Sequence, residues 1–258
     1  MPSNKKNSGP RGIQVIARAA NILRSLEDEP DGLSLREIAD KVGLARSTVQ
    51  RIVGALVNEQ LLIAATPNAR VKLGPSLIRL AASANIDVGE LLKPYMQDLS
   101  RLVEETVDLS VLKGKRAVFI NQVAARNRRL QAVSHIGDAF PLHCTANGKA
   151  LMATLPDPDR DKYLKTKLEK YTPNTITDVK QLITVIEDFQ QNLVAIDREE
   201  HTEGICAVGT SFNDPFGQVL ALSVPIPTHR FAQVESGVSQ ALLECRSAII
   251  LALGKQPS

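Results

Sequence analysis

Residues 33–56, LSLREIADKVGLARSTVQRIVGAL, constrain the fold more than any other stretch, because two short helical patterns meet there at a glycine. In the first, Leu35, Ile38 and Ala39 recur at helical spacing, and Ala39 is small enough for a second helix to cross it closely. Gly43 stands where the turn needs a residue that tolerates positive φ. In the second, Val49, Ile52, Val53 and Leu56 make a buried stripe, which turns Arg46, Ser47, Thr48, Gln50 and Arg51 away from the core. This pattern predicts a helix-turn-helix whose second helix offers groove-reading side chains. The plainer alternative makes Ser47 a helix cap and Arg51 a solvated charge.

The flanks complete a unit of residues 12–74. Ile13, Ile16, Ala17, Ala20 and Leu23 predict a first helix from Ile13 to about Glu27, ended by Pro30-Asp31-Gly32. Leu61-Leu62-Ile63 and Val71-Lys72-Leu73 flank Thr66-Pro67-Asn68-Ala69, a strand-turn-strand pattern that predicts a wing with Arg70 near its tip. Residues 1–11 are polar and basic, as in a disordered arm. Residues 1–75 hold 11 Lys and Arg against 7 Asp and Glu, whereas residues 76–258 hold 20 against 21, so the basic excess accompanies the helix-turn-helix. A surface that neutralises phosphates has this asymmetry. With six Phe, three Tyr and no Trp, stacking on single strands is disfavoured and duplex DNA is the expected partner.

A chain of 258 residues exceeds what one core ordinarily supports, so a second domain is expected. Residues 75–88 read as a linker helix; from Val88 to Val103, Leu91, Leu92, Tyr95, Leu99 and Leu102 mark a further helix opening a domain of residues 89–258. Short strands are predicted at 107–112, 116–124, 130–135, 205–212 and 218–224, and helices at 145–155, 157–168, 178–192 and 231–253. Strands and helices are segregated, which points to an α+β domain around an antiparallel sheet. No apolar run approaches the roughly 18 residues of a membrane helix, and the N-terminus lacks a signal-peptide core, so a cytoplasmic location is expected. Cys144, Cys206 and Cys245 are few, odd in number and not spaced as metal pairs, the pattern of reduced thiols without a metal site.

Ile13 to Glu27, Leu33 to Leu56, Leu73-Gly74-Pro75, the block Pro141-Leu142-His143-Cys144-Thr145-Ala146-Asn147-Gly148-Lys149-Ala150-Leu151, and Glu199-Glu200 followed by Gly204-Ile205-Cys206 together resemble the IclR family of bacterial transcription regulators. The resemblance spans nearly the whole chain. It implies a winged helix-turn-helix, a linker helix and a GAF-like effector-binding domain, acting as a dimer or dimer of dimers on palindromic operators, with no cofactor. Carried onto this chain, the effector-lining positions are Ala132, Phe140, Ala146, Asn147, Asp197, Cys206 and Ser223. Gly204-Ile205-Cys206 is one residue shorter than the Gly-x-Arg-Cys common in the family.

Thr145 opens a helix just after a loop, so its backbone N–H group and those of Ala146 and Asn147 suit an anion, and a small carboxylate or aromatic acid is the expected effector. His143 is expected to serve packing, Lys149 a solvated helix face, and the acidic run around Asp197 the solvent. The rival reading is a GAF-like thiol redox enzyme with Cys144 or Cys206 as nucleophile and His201 or Asp197 as orienter. Neighbours in sequence such as His143 and Cys144 seldom point at one another, and no phosphate loop, metal cluster or serine elbow accompanies them, so a non-enzymatic regulator is the favoured expectation.

Overall fold

The computed structural model describes residues 11–64, 70–83, 87–126, 128, 131–132 and 134–254. The chain divides into two compact units, residues 1–86 and 87–258. Of the expected arm over residues 1–11, residues 1–10 lie outside the described residues, and so does the expected wing turn at 66–69.

In the first unit, α1 (Arg11–Arg24), α2 (Leu35–Val42) and α3 (Arg46–Asn58) enclose a core of Ile22, Leu26, Leu33, Ile38, Ala39, Val49, Val53, Leu56, Leu62 and Val71. α2 begins with a reciprocal cap: Ser34 Oγ accepts the Glu37 N–H, and the Glu37 carboxylate accepts the Ser34 N–H at 2.7 Å. It ends at Gly43, whose φ of 65° lets its N–H reach the Ala39 carbonyl. The buried face of α1 differs from the expected one. Ile16 and Ala17 are exposed, and among the side chains described there the core takes Ala19, Ile22, Leu23 and Leu26. β1 (Leu62–Ile63) and β2 (Lys72–Leu73) pair antiparallel as the wing, and Leu33 bridges to Val71 beside them. α4 (Pro75–Ser83) follows.

The second unit opens with α5 (Val88–Val103), capped by Asp87. Its buried face is Leu92, Met96 and Leu99; the expected Leu91 and Leu102 are exposed. Six antiparallel strands follow in the spatial order β5-β4-β3-β8-β7-β6. They are β3 (Val107–Lys113), β4 (Arg116–Val123), β5 (Ala139–Pro141), β6 (Ala195–Arg198), β7 (Ile205–Asn213) and β8 (Val219–Pro227). No described residue of the expected strand at 130–135 is extended in the sheet; the strand beside β4 is the three-residue β5 instead, and β6 was not anticipated.

The sheet carries helices on both faces, sorted by the two-residue alternation of its strands. Val107, Leu109, Val111, Cys206, Val208, Leu220, Leu222, Val224 and Ile226 pack with α5 and the 25-residue α9 (Thr228–Ala252). Ala117, Ala195 and Ala221 point the other way, with α6 (Ala146–Met152), α7 (Asp157–Leu164) and α8 (Val179–Asn192). The fold is α+β, with a helix-turn-helix unit followed by an antiparallel-sheet unit.

Candidate DNA-reading helix and effector cavity

On α3 the buried positions Val49, Val53 and Leu56 leave Arg46, Ser47, Gln50 and Arg51 exposed and Thr48 half-exposed. Ala45, not Ser47, occupies the N-cap position and supplies no side-chain cap. Ser47 therefore sits inside the first turn on the exposed edge, and the capping alternative falls away. Arg70 stands differently from the expectation of a wing-tip cation. Its Nε donates to the Gly32 carbonyl at 2.8 Å, and its guanidinium lies 3.4 Å from Glu37, so it clamps the foot of the wing to the start of α2. Half of that side chain is still exposed.

In the second unit a cavity of about 350 Å³ opens on the face of the sheet that carries α6. Its wall includes Ala132, Phe140, Ala146, Asn147, Asp197 and Ser223, six of the seven expected positions. Cys206 is not among them. Alternation decides this: Ile205 and Ala207 face the cavity, so the residue between them must face the opposite core, to which Cys206 belongs, with Sγ 3.5 Å from Thr228 Oγ1.

The residues not anticipated in the wall, Asp108, Phe119, Ala207 and Pro225 among them, obey the same alternation. In β3, the run Val107-Asp108-Leu109-Ser110-Val111 buries its apolar members on the α9 side and sends Asp108 and Ser110 to the other. Asp108 pairs with Ser223, and Ser223 in turn with Gly209; one register row over, Asp197 pairs with Ala207 and Ala207 with Pro225. The cavity floor is thus a band of inward positions across β3, β8, β7 and β6.

Thr145 borders the cavity and caps α6: its Oγ1 accepts the Gly148 N–H at 3.1 Å and donates to the Pro141 carbonyl at 3.0 Å. Gly209 lets this helix start approach the sheet, since a Cβ there would come within 2.7 Å of the Ala146 backbone. Asn147 Nδ2 donates to Ser110 Oγ at 3.0 Å. Phe119 and Phe140 meet edge to face at 5.1 Å, Phe140 meets His201 at 4.8 Å, and His201 stacks on Tyr171 at 4.8 Å, a continuous aromatic flank.

The cavity wall carries acidic rather than basic side chains. Burial pushes the carboxyl groups of Asp108 and Asp197 up to about 7, against Gln122 and Ser134 hydrogen bonds at Asp108 and against the Lys149 charge at Asp197. Asp138 adds a third carboxyl group, no described wall residue is Lys or Arg, and burial holds the His201 imidazole low, hence neutral near pH 7.

Two further expectations are corrected. Lys149 is not solvated: it is fully buried, with Nζ 2.5 Å from Glu200 Oε1 and donating to the Ile196 carbonyl. The acidic run is not solvated either, for Asp197 and Glu200 are buried and Asp197 Oδ1 accepts the Glu200 N–H at 2.7 Å. The backbone reverses here through Glu199, at φ 60°.

The thiol reading fails on geometry and charge. Cys144 is fully buried, and burial, then Asp197 and Glu200, push its thiol up to about 12, so it stays protonated at neutral pH. His143 turns to Tyr163 Oη (3.2 Å) and the Glu169 carbonyl (2.9 Å), a packing role as expected.

Comparison with known proteins finds two family matches along the chain. The family description "IclR helix-turn-helix domain" matches residues 15–63, and "Bacterial transcriptional regulator IclR C-terminal" matches residues 80–250. The chain is similar to the HTH-type transcriptional regulator Rv1719 of Mycobacterium tuberculosis, 44% identical over 94% of this chain and 93% of that one. It is also similar to the HTH-type transcriptional regulator TtgV of Pseudomonas putida, 38% identical over 99% and 98%. In fold it matches the Agobacterium tumefaciens repressor BlcR, with a TM-score of 0.72, 19% identity and coverage of 95% and 99%. It likewise matches an IclR homolog complexed with 4-hydroxybenzoate from Microbacterium hydrocarbonoxydans, with a TM-score of 0.60, 19% identity and coverage of 93% and 99%.

Proposed function

This chain belongs to the IclR family of bacterial transcriptional regulators, which are not enzymes, and from that premise we propose that it binds duplex operator DNA through α3 and senses a small organic molecule in the sheet cavity. The exposed polar edge of α3 is the observation that carries the reading. Arg46 and Arg51 are the side chains suited to guanine edges or phosphate, Gln50 to adenine, and Ser47 and Thr48 to phosphate or base. Arg70, already bonded to Gly32, supports phosphate contact only with the exposed half of its side chain.

Paired recognition helices in a dimer or dimer of dimers would read a palindromic operator, each half-site one helical turn from the next. The protein would work in the cytoplasm, where its DNA is; among the described residues no helix is long and apolar enough to cross a membrane. A ligand alters DNA affinity only by binding two arrangements of such an assembly unequally, and a coupling of about 1–3 kcal/mol gives a 5- to 150-fold response. The relative complexed with 4-hydroxybenzoate supports a ring-sized organic effector, and Ala132, Phe140, Ala146, Asn147, Asp197 and Ser223 are the residues to line it.

Arg46→Ala with Arg51→Ala, titrated against the native operator, should weaken binding by roughly 2 kcal/mol or more. The slope of affinity against salt should also fall. Unchanged affinity would overturn the assignment of α3.

A further inference from the structure

The cavity wall contains a bias in charge that selects among effectors. Two of its polar side chains, Asp108 and Asp197, are almost wholly buried, only 1% and 5% exposed. At Asp108, Oδ1 accepts from Gln122 Nε2 at 2.6 Å, and Oδ2 takes only a long contact from Ser134 Oγ at 3.4 Å. At Asp197, Oδ1 accepts the Glu200 N–H, whereas no described donor reaches Oδ2. Lys149, the cation facing this group, has its ammonium engaged by Glu200 Oε1 and the Ile196 carbonyl. The wall thus presents, at Asp197 Oδ2, an acceptor that no described protein donor occupies and that the N–H or O–H of a ligand can meet.

The apolar part of the wall narrows the ligand further. Phe119, Phe140 and His201 present ring edges and faces along one flank, which suits a flat ring. Three strand steps separate Asp108 on β3 from Asp197 on β6, so the two carboxyl groups stand at opposite ends of the cavity floor, with the aromatic flank beside it.

Building on the effector reading above, we propose that the cavity takes an aromatic compound that donates a hydrogen bond and carries no negative charge, such as a phenol or a benzylic amine, with Asp197 Oδ2 as the accepting atom, and rejects aryl carboxylates. A carboxylate would bring an uncompensated anion beside buried acids, a repulsion that specifies against it.

Calorimetric titration of the full-length protein at pH 7.5 with 4-methylphenol, 4-methylbenzylamine and 4-methylbenzoate varies the charge on one ring. The phenol or the amine should bind at least about tenfold more tightly than the benzoate, the range a lost charge-assisted hydrogen bond gives. In Asp197→Asn the gap should narrow because the benzoate gains affinity, with retained folding checked by thermal melting; Asp108→Asn, at the far end of the floor, should act in the same direction if Asp197→Asn does not fold. Benzoate binding as tight as that of the phenol and the amine, or benzoate affinity unaffected or weakened in both variants, would overturn the proposal. If benzoate binds best and also shifts operator affinity, the effector reading survives and only the donor assignment falls. If none of the three probes binds, both fall.

Discussion

Burial and charge at single residues decide more here than residue type does. Asp108 is held by Gln122 and Ser134 with no opposite charge among the groups acting on it, and its carboxyl group is pushed from 3.8 to about 7. The folded state therefore binds a proton that the unfolded state has already lost between about pH 4 and 7, and stability falls over that window as pH rises. Asp108→Asn removes the titrating group. Its melting temperature should gain on the wild type between about pH 4 and 7 and keep a constant lead above about pH 8; parallel melting curves across that range would refute the burial effect. Lys149 poses the opposite case, a buried cation matched to Glu200, whose second oxygen has no partner. Lys149→Met should cost about 3–5 kcal/mol in urea unfolding, because it strands the Glu200 charge. Adding Glu200→Leu should restore most of that loss.

Elements were legible in the sequence where one face repeats over several turns or strands, and illegible where a strand is short. α2, α3, α8 and α9 follow their apolar periods closely. β5 has three residues and β6 four, two of those being Asp197 and Arg198, too few for alternation to register. In α1 and α5 the apolar residues wrap further round the helix than the core does, so spacing alone could not say that Ile16, Leu91 and Leu102 stay exposed. The family resemblance points to six residues that line the cavity, whereas Cys206 lies one step of alternation away on the opposite face, and Asp108 belongs to an inward polar row that the polar residues at every second position of β3 mark in the sequence. The same alternation makes a prediction for the contact of β7 with α6. Gly209→Ala would force a Cβ against the Ala146 backbone, and α6 must shift. The substitution should cost about 1–3 kcal/mol. It should also weaken binding of a cavity ligand while leaving operator affinity in the absence of ligand intact; a fully stable variant with unaltered ligand affinity would show that the close approach is not needed.

At the scale of the whole chain, the two compact units have separate cores, one in the first unit and one on each face of the sheet in the second, so the proposed sensing and reading are separable in energy even where they are coupled in function. Every residue of the cavity wall lies between 108 and 225, inside the second unit. Residues 87–258 alone should therefore fold and bind the same ligand, and a ligand specific to the native state stabilises it by about 2.7 kcal/mol at a hundred times its dissociation constant. Calorimetry should then return the same ligand affinity for the isolated unit as for the full chain without DNA, within the few-fold that a coupling of about 1 kcal/mol allows. A much tighter fit to the isolated unit would mean that the first unit opposes the ligand-bound arrangement. The regulatory response itself is set by a different comparison, the ligand affinity of the operator-bound chain against that of the DNA-free chain, and by linkage the same factor is the change in operator affinity that the ligand causes.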